Sequence, residues 1–224
     1  MVAPVTRTPF DAAAPDSGHT PVMLDETLTN LAIVPGGRYI DATFGGGGHA
    51  RAILEQSSPD GQLLAFDADP AAVDRASALR NAYPERFSIV HANFALLEDI
   101  AREHGFDQVD GILFDLGLSS FQFDERERGF SLHSETRLDM RLDPSAEGTT
   151  AWEIVNEWPP EQIADVLFEF GDERRSRRIA RVIADRRETK PIETNSELAE
   201  IVQSAVGGRR GARVHPATKS FQAI

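Results

Sequence analysis

Between residues 22 and 116, short apolar runs alternate with stretches of helical period. Tyr39 to Thr43 reads as a strand, Gly45 to Gly48 as a tight loop, and Ala50 to Gln56 as the helix that the loop opens. Leu63 to Phe66 is a second strand, ending at Asp67. Pro70 suits the first turn of a helix running to about Asn81. Phe87 to Val90 is a third strand, Leu96 to His104 a third helix, and Val109 to Asp115 a fourth strand. Strands alternating with helices in this way predict an α/β fold with a parallel, doubly wound sheet. Its crossovers are expected to be right-handed. Ligands of such sheets bind beyond the carboxyl ends of the strands.

The pattern changes after Leu118. Phe121 to Thr150 is rich in charge and turn residues and has no clear period, which favours function over filler in so long a connection. Helical signals follow. Pro159 and Pro160 start a helix that Gly171 stops. Glu173 to Arg187 carries one apolar stripe, Ile179, Val182 and Ile183, among seven arginines. Thr194 and Glu197 form a capping box ahead of Leu198 to Val206. The second half therefore reads as a helical module attached at the carboxyl end of the fourth strand. The sequence ends at Ile224 without a helix or strand stop signal. Four parallel strands are half of a doubly wound sheet, so its C-terminal strands are expected to be missing here.

Composition narrows the classes. Hydrophobic residues are 41% and charged residues 26%, the balance of a soluble globular protein. There is no cysteine, which excludes disulfides, thiolate metal sites and cysteine nucleophiles. The six histidines are scattered, and no metal site is expected. No apolar run approaches the roughly 20 residues of a membrane span, and residues 1–18 lack the apolar stretch of a signal peptide. A cytoplasmic location with a mobile N-terminal tail over 1–18 is the expectation. The net charge of −13 is unevenly spread. Residues 171–224 hold 12 basic and 7 acidic residues, against 11 and 29 in the first 170. An acidic body carrying a basic module is compatible with RNA binding.

The strongest local signal is Asp41-Ala42-Thr43-Phe44-Gly45-Gly46-Gly47-Gly48-His49, which follows a strand and opens a helix. Glycines there let a ligand approach the backbone. Gly45, Gly47 and Ala50 also fit the dinucleotide fingerprint, and Asp67 stands where a carboxylate can bind ribose hydroxyls. These features alone do not separate a dinucleotide from S-adenosylmethionine. Asp41 favours the second, because a carboxylate beside the loop repels a pyrophosphate and attracts an ammonium or sulfonium. Asp115 faces the same crevice by topology, as a cofactor contact or as acceptor of a hydrogen from a substrate amine. Phe94, after the third strand, is either a ring flanking adenine or core packing.

Further segments carry a family resemblance. His19 to Leu24, the glycine loop with His49, Asp67-Ala68-Asp69-Pro70, Asp115 to Ser120 and Arg128 to Ser131 resemble the MraW/RsmH methyltransferases. So do Leu138 to Arg141, Gly171 to Arg174 and His215 to Thr218, in order along nearly the whole chain. The resemblance implies a class I methyltransferase fold, a Rossmann-like sheet with an inserted helical domain. It implies methylation of the exocyclic N4 of a cytidine in bacterial small-subunit (16S) ribosomal RNA, with S-adenosylmethionine as donor. It places cofactor contacts on Gly47, Gly48, His49, Asp67, Phe94, Asp115 and Gln122, to which the residue reading adds Asp41. Phe121, Arg137 and Asp172 stand where the family usually has Pro, Pro and Glu. The family continues with further strands and a Phe-His-Ser-Leu-Glu-Asp segment that this sequence lacks.

The expected layout is a Rossmann-like cofactor-binding half over 19–122, an inserted loop and helical substrate-recognition domain over 123–214, and the start of a return to the sheet over 215–224, cut short. Candidates for catalysis are Asp115, Ser119 and Ser120. Phe121, Phe123, Phe130, Arg137 and Arg141 are candidates to stack on a splayed base, and Arg174 to Arg187 with Gly207 to Gly211 to meet phosphates. The expected partner is small-subunit ribosomal RNA, free or in the assembled subunit. The alternatives are an inactive cofactor-binding fragment and a dinucleotide-dependent oxidoreductase.

Overall fold

The computed structural model describes residues 21–118, 129–208 and 214–224. Four parallel strands form one sheet: β1 (Arg38–Asp41), β2 (Gln62–Asp67), β3 (Phe87–His91) and β4 (Gly111–Leu113), in the order β3-β2-β1-β4. The register pairs Asp41 with Ala65 on one side and with Leu113 on the other. The sheet is therefore the expected parallel, doubly wound α/β type. Successive strands are added on one side of β1 up to β3 and then on the other side at β4, so the strand order switches between β1 and β4, which is where such folds open a ligand crevice.

Side chains on a strand alternate between faces, and that alternation builds two cores. Tyr39, Leu63, Ala65 and Phe87 pack with α1 (Leu24–Leu31), α2 (Gly48–Gln56), α3 (Pro70–Arg75) and α4 (Ser77–Ala82). Ile40, Leu64 and Phe66 point the other way, onto α5 (Leu97–Glu103). The sheet ends differ from the predicted ones for local reasons. β1 stops at Asp41 because the Asp41 carboxylate accepts the Thr43 N–H and turns the chain into the loop. β4 stops at Leu113, and two residues further on the Asp115 N–H bonds to the Thr43 hydroxyl instead of a strand. The helix predicted from Pro70 is two helices. They meet at buried Ala76, whose N–H is shared between the Ala72 and Val73 carbonyls.

The helical half comprises α6 (Ala151–Glu157), α7 (Pro160–Glu169), α8 (Ser176–Arg187), α9 (Asn195–Ala205) and α10 (Thr218–Ala223). These share a core of their own, centred on Leu138, Val155, Ile163, Leu167, Ile179, Ile183, Leu198 and Val202. The Thr194–Glu197 capping box is present as predicted, and a second one, Thr150–Glu153, starts the unforeseen α6. Helix α8 begins three residues later than expected, after a turn in which Asp172 is left-handed and the Arg175 N–H is taken by the Glu173 carboxylate. Residues 215–224, read as starting a return to the sheet, lie against the helical core through Ala217 and Phe221. Between the body and the segment ahead of the helical half, His91 Nε2 lies 3.1 Å from Asp143 Oδ2.

Candidate active site

Asp41 closes β1 and is fully buried. Its Oδ1 accepts the Thr43 N–H at 3.1 Å. Its Oδ2 is buried with no hydrogen-bond partner among the described residues. Burial pushes the Asp41 carboxyl up to about 7; the Thr43 N–H works against that, and the neighbouring Asp67 and Asp115 carboxylates add to it. A buried acceptor without a donor is costly. This oxygen is therefore short of a donor or a cation, and it lies at the carboxyl end of the sheet.

Asp67 closes β2 and ties down the glycine loop. Its Oδ2 accepts the Gly45 N–H at 2.7 Å and its Oδ1 the Asp69 N–H at 2.8 Å. Burial raises its pKa, opposed by those two N–H groups. A carboxylate offers about four lone-pair sites, so each oxygen keeps capacity for a ligand hydroxyl. The loop itself depends on glycine for internal reasons too. Gly47 has φ of 76°, and a Cβ there would stand 2.6 Å from the Phe44 ring. A Cβ on Gly48 would stand 2.2 Å from Pro21. His49, in the first turn of α2, is buried, and its Nε2 donates to the Val22 carbonyl at 3.2 Å.

Asp115 stands on the opposite lip, its side chain half-exposed. Its Oδ2 lies 3.8 Å from His49 Nδ1, and its backbone N–H donates to Thr43 Oγ1 at 2.7 Å. Asp41, Asp67, Asp115 and His49 thus gather where β1, β2 and β4 end. Phe94 is 42% exposed, so it is not core packing. Its ring meets the edge of Phe114 at 5.6 Å between centroids. Asn93 fixes its position by accepting the Ala95 N–H.

Ser119, Ser120 and Gln122 lie outside the described residues, as do Phe121 and Phe123. Two of the candidates for base stacking are otherwise engaged. Phe130 is buried. Arg141 is held by both oxygens of Asp139 and by the Ala146 and Pro144 carbonyls, a bidentate arrangement that keeps the Asp139 carboxyl below its usual range. Arg137 is exposed and lies 5.8 Å over the Trp152 ring. Two contributors escaped the sequence reading. Thr43 links the β1 and β4 exits, and its position two residues after Asp41 was the available signal. Phe114 pairs with Phe94 across elements 20 residues apart, for which the sequence carries no signal.

A family model described as the MraW methylase family matches residues 16–224. A protein of Thermomicrobium roseum named ribosomal RNA small subunit methyltransferase H is 53% identical over 206 residues, covering 92% of this chain and 63% of that protein. Proteins of the same name from Dehalococcoides mccartyi and Lactobacillus delbrueckii are each 48% identical, covering 92% of this chain and 58% and 67% of their own lengths. The chain thus spans about three-fifths of the length of the curated relatives it matches. With the family model covering nearly every residue, the chain belongs to the MraW methylase family.

Proposed function

We propose that this chain carries the donor site of an S-adenosylmethionine-dependent methyltransferase acting on the exocyclic N4 of a cytidine in small-subunit ribosomal RNA. The observation that carries the reading is the buried, partnerless Oδ2 of Asp41 at the mouth of a glycine loop. A pyrophosphate would meet a carboxylate there, whereas a cationic ligand would supply what that oxygen lacks. The family membership supports the same reading.

Bound at this site, S-adenosylmethionine supplies an electrophilic methyl group on a sulfonium. The residues that would hold it are Asp41 and the 45–48 loop at its cationic end, Asp67 at the ribose and exposed Phe94 beside the adenine. Asp67 suits that role because the Gly45 and Asp69 amides fix its orientation before any ligand arrives. Such fixed alignment is what a displacement reaction asks of a protein. The N4 amine of cytosine is a weak nucleophile because its lone pair is drawn into the ring. An acceptor on the N4 hydrogen strengthens it. The backbone carbonyls after β4, from Leu116 onward, are assigned that role, leaving Asp115 to the donor site. A paired cytidine must first be unstacked, at a few kcal/mol.

Incubating the chain with small-subunit RNA and methyl-labelled donor, then digesting to nucleosides, tests the reading. Label in N4-methylcytidine supports it. Donor binding with no transfer to free RNA or to assembled subunits would leave a cofactor-binding fragment. Among the described residues no helix is long and apolar enough to cross a membrane, and we place the reaction in the cytoplasm with the ribosomal RNA.

A further inference from the structure

Helix α8 is built against its own stability. Its N-cap, Arg175, makes no side-chain cap bond, and its first turn holds Arg177 and Arg178 with no acidic residue. Cations there oppose the positive end of the helix dipole. Arg177 and Arg181, at i,i+4, repel each other as well. The two neighbouring helices α6 and α9 instead start with complete Thr–Glu capping boxes. Acidic residues are abundant in this chain, which carries net −13, yet none neutralises this turn. Arg174, Arg177, Arg178 and Arg181 are all exposed, and none forms a salt bridge among the described residues. Two other arginines of the segment are structural: Arg175 donates to the Val206 carbonyl and Arg187 to the Val155 carbonyl at 2.8 Å.

The turn leading into α8 adds a second feature. Phe168 and Phe170, at the end of α7, are 57% and 70% exposed. They stand four to six residues before Arg174, on the helix that packs along α8. Arginines without a salt bridge among the described residues, with exposed aromatic rings on the adjoining helix, match single-stranded nucleic acid, whose phosphates take the charge and whose bases take the rings. An acidic protein would use the arginines but leaves the two rings without a specific partner.

We infer that the α7–α8 corner is an RNA-docking surface, with Arg174, Arg177, Arg178 and Arg181 on phosphates and Phe168 and Phe170 stacking on unpaired bases. The inference rests on the RNA reading above and names the surface that serves it. Its test is the affinity of the chain for small-subunit RNA across a salt series. Three variants are compared with the unaltered chain: Arg174→Gln, Arg177→Gln, Arg178→Gln and Arg181→Gln combined; Phe168→Ala with Phe170→Ala; and Arg80→Gln with Arg102→Gln on the sheet body. Losing four phosphate contacts should lower the slope of log affinity against log salt by about 3. Affinity at low salt should fall at least a hundredfold. The phenylalanine pair should lose at least tenfold with the slope unchanged, and the body pair should behave as the unaltered chain. The arginine variant should melt at the same temperature or higher, since it relieves the crowded helix start.

An arginine variant with unaltered slope and affinity overturns the inference and leaves the RNA reading standing. So does a lowered melting temperature, which would make the arginines structural. Unaltered RNA affinity with lost binding to anionic phospholipid vesicles would assign the stripe to a membrane surface and overturn it too. An unaltered chain that binds S-adenosylmethionine but no RNA would overturn both the inference and the RNA reading.

Discussion

Replacing Asp41 by Asn isolates the charge that the site reading depends on. The side chain keeps its shape and its Oδ1 acceptor for the Thr43 N–H. In the folded chain the carboxyl titrates near 7, against 3.8 when unfolded. From pH 4 to 7 the unfolded chain therefore sheds a proton that the folded chain retains, and each rise in pH favours unfolding. The stability this group contributes is present in full below pH 4 and gone above about 7. At 1.36 kcal/mol per pH unit the whole loss is about 4 kcal/mol. Asn does not titrate, so the variant escapes that loss. The cost of burying its amide is the same at every pH. Between pH 5 and pH 8 the variant's stability relative to the unaltered chain should therefore rise by about 3 kcal/mol. For a chain of this size that is roughly 6–12 °C in melting temperature. Urea titrations at pH 5, 6, 7 and 8 read the difference directly. A difference that does not change with pH would refute the buried, unpaired carboxyl. In the same samples the variant should bind S-adenosylmethionine at least tenfold more weakly.

Other expectations follow from single contacts. Asp67→Ala removes both the ribose acceptor and the anchor of the Gly45 amide, so donor affinity should fall at least tenfold by calorimetry; unchanged affinity would end the proposed role. Gly47→Ala meets a left-handed backbone and the Phe44 ring, and should lower stability by about 1–3 kcal/mol in denaturant titration. Thr150→Ala and Thr194→Ala should each cost about 1 kcal/mol through their capping boxes. Neither should alter donor affinity, since both lie in the helical half.

The sheet was legible because its two central strands are buried apolar runs that each end at an aspartate, and the parallel order follows from the helices between the strands. The strand ends were not, since they turn on side chains competing for backbone amides, Asp41 for Thr43 and Thr43 for Asp115. Helix α1 was missed because Met23 enters it left-handed and without a side-chain cap. The Thr150–Glu153 box was readable from its spacing but lay at the end of a segment without period. In the site, the position of Asp41 was legible and its missing partner was not, because an unsatisfied oxygen is a property of the packed surroundings. The seven arginines of 174–187 looked alike in sequence. Only their backbone partners separate Arg175 and Arg187, which brace the fold, from the other five.

The proposed donor site is tested most directly by one titration, S-adenosylmethionine into this chain by calorimetry, with NADH as the control. It predicts saturable one-site binding of S-adenosylmethionine, weakened at least tenfold in the Asp41→Asn chain, and no heat with NADH. Binding of NADH, or binding of S-adenosylmethionine unaffected by loss of the Asp41 charge, would contradict it.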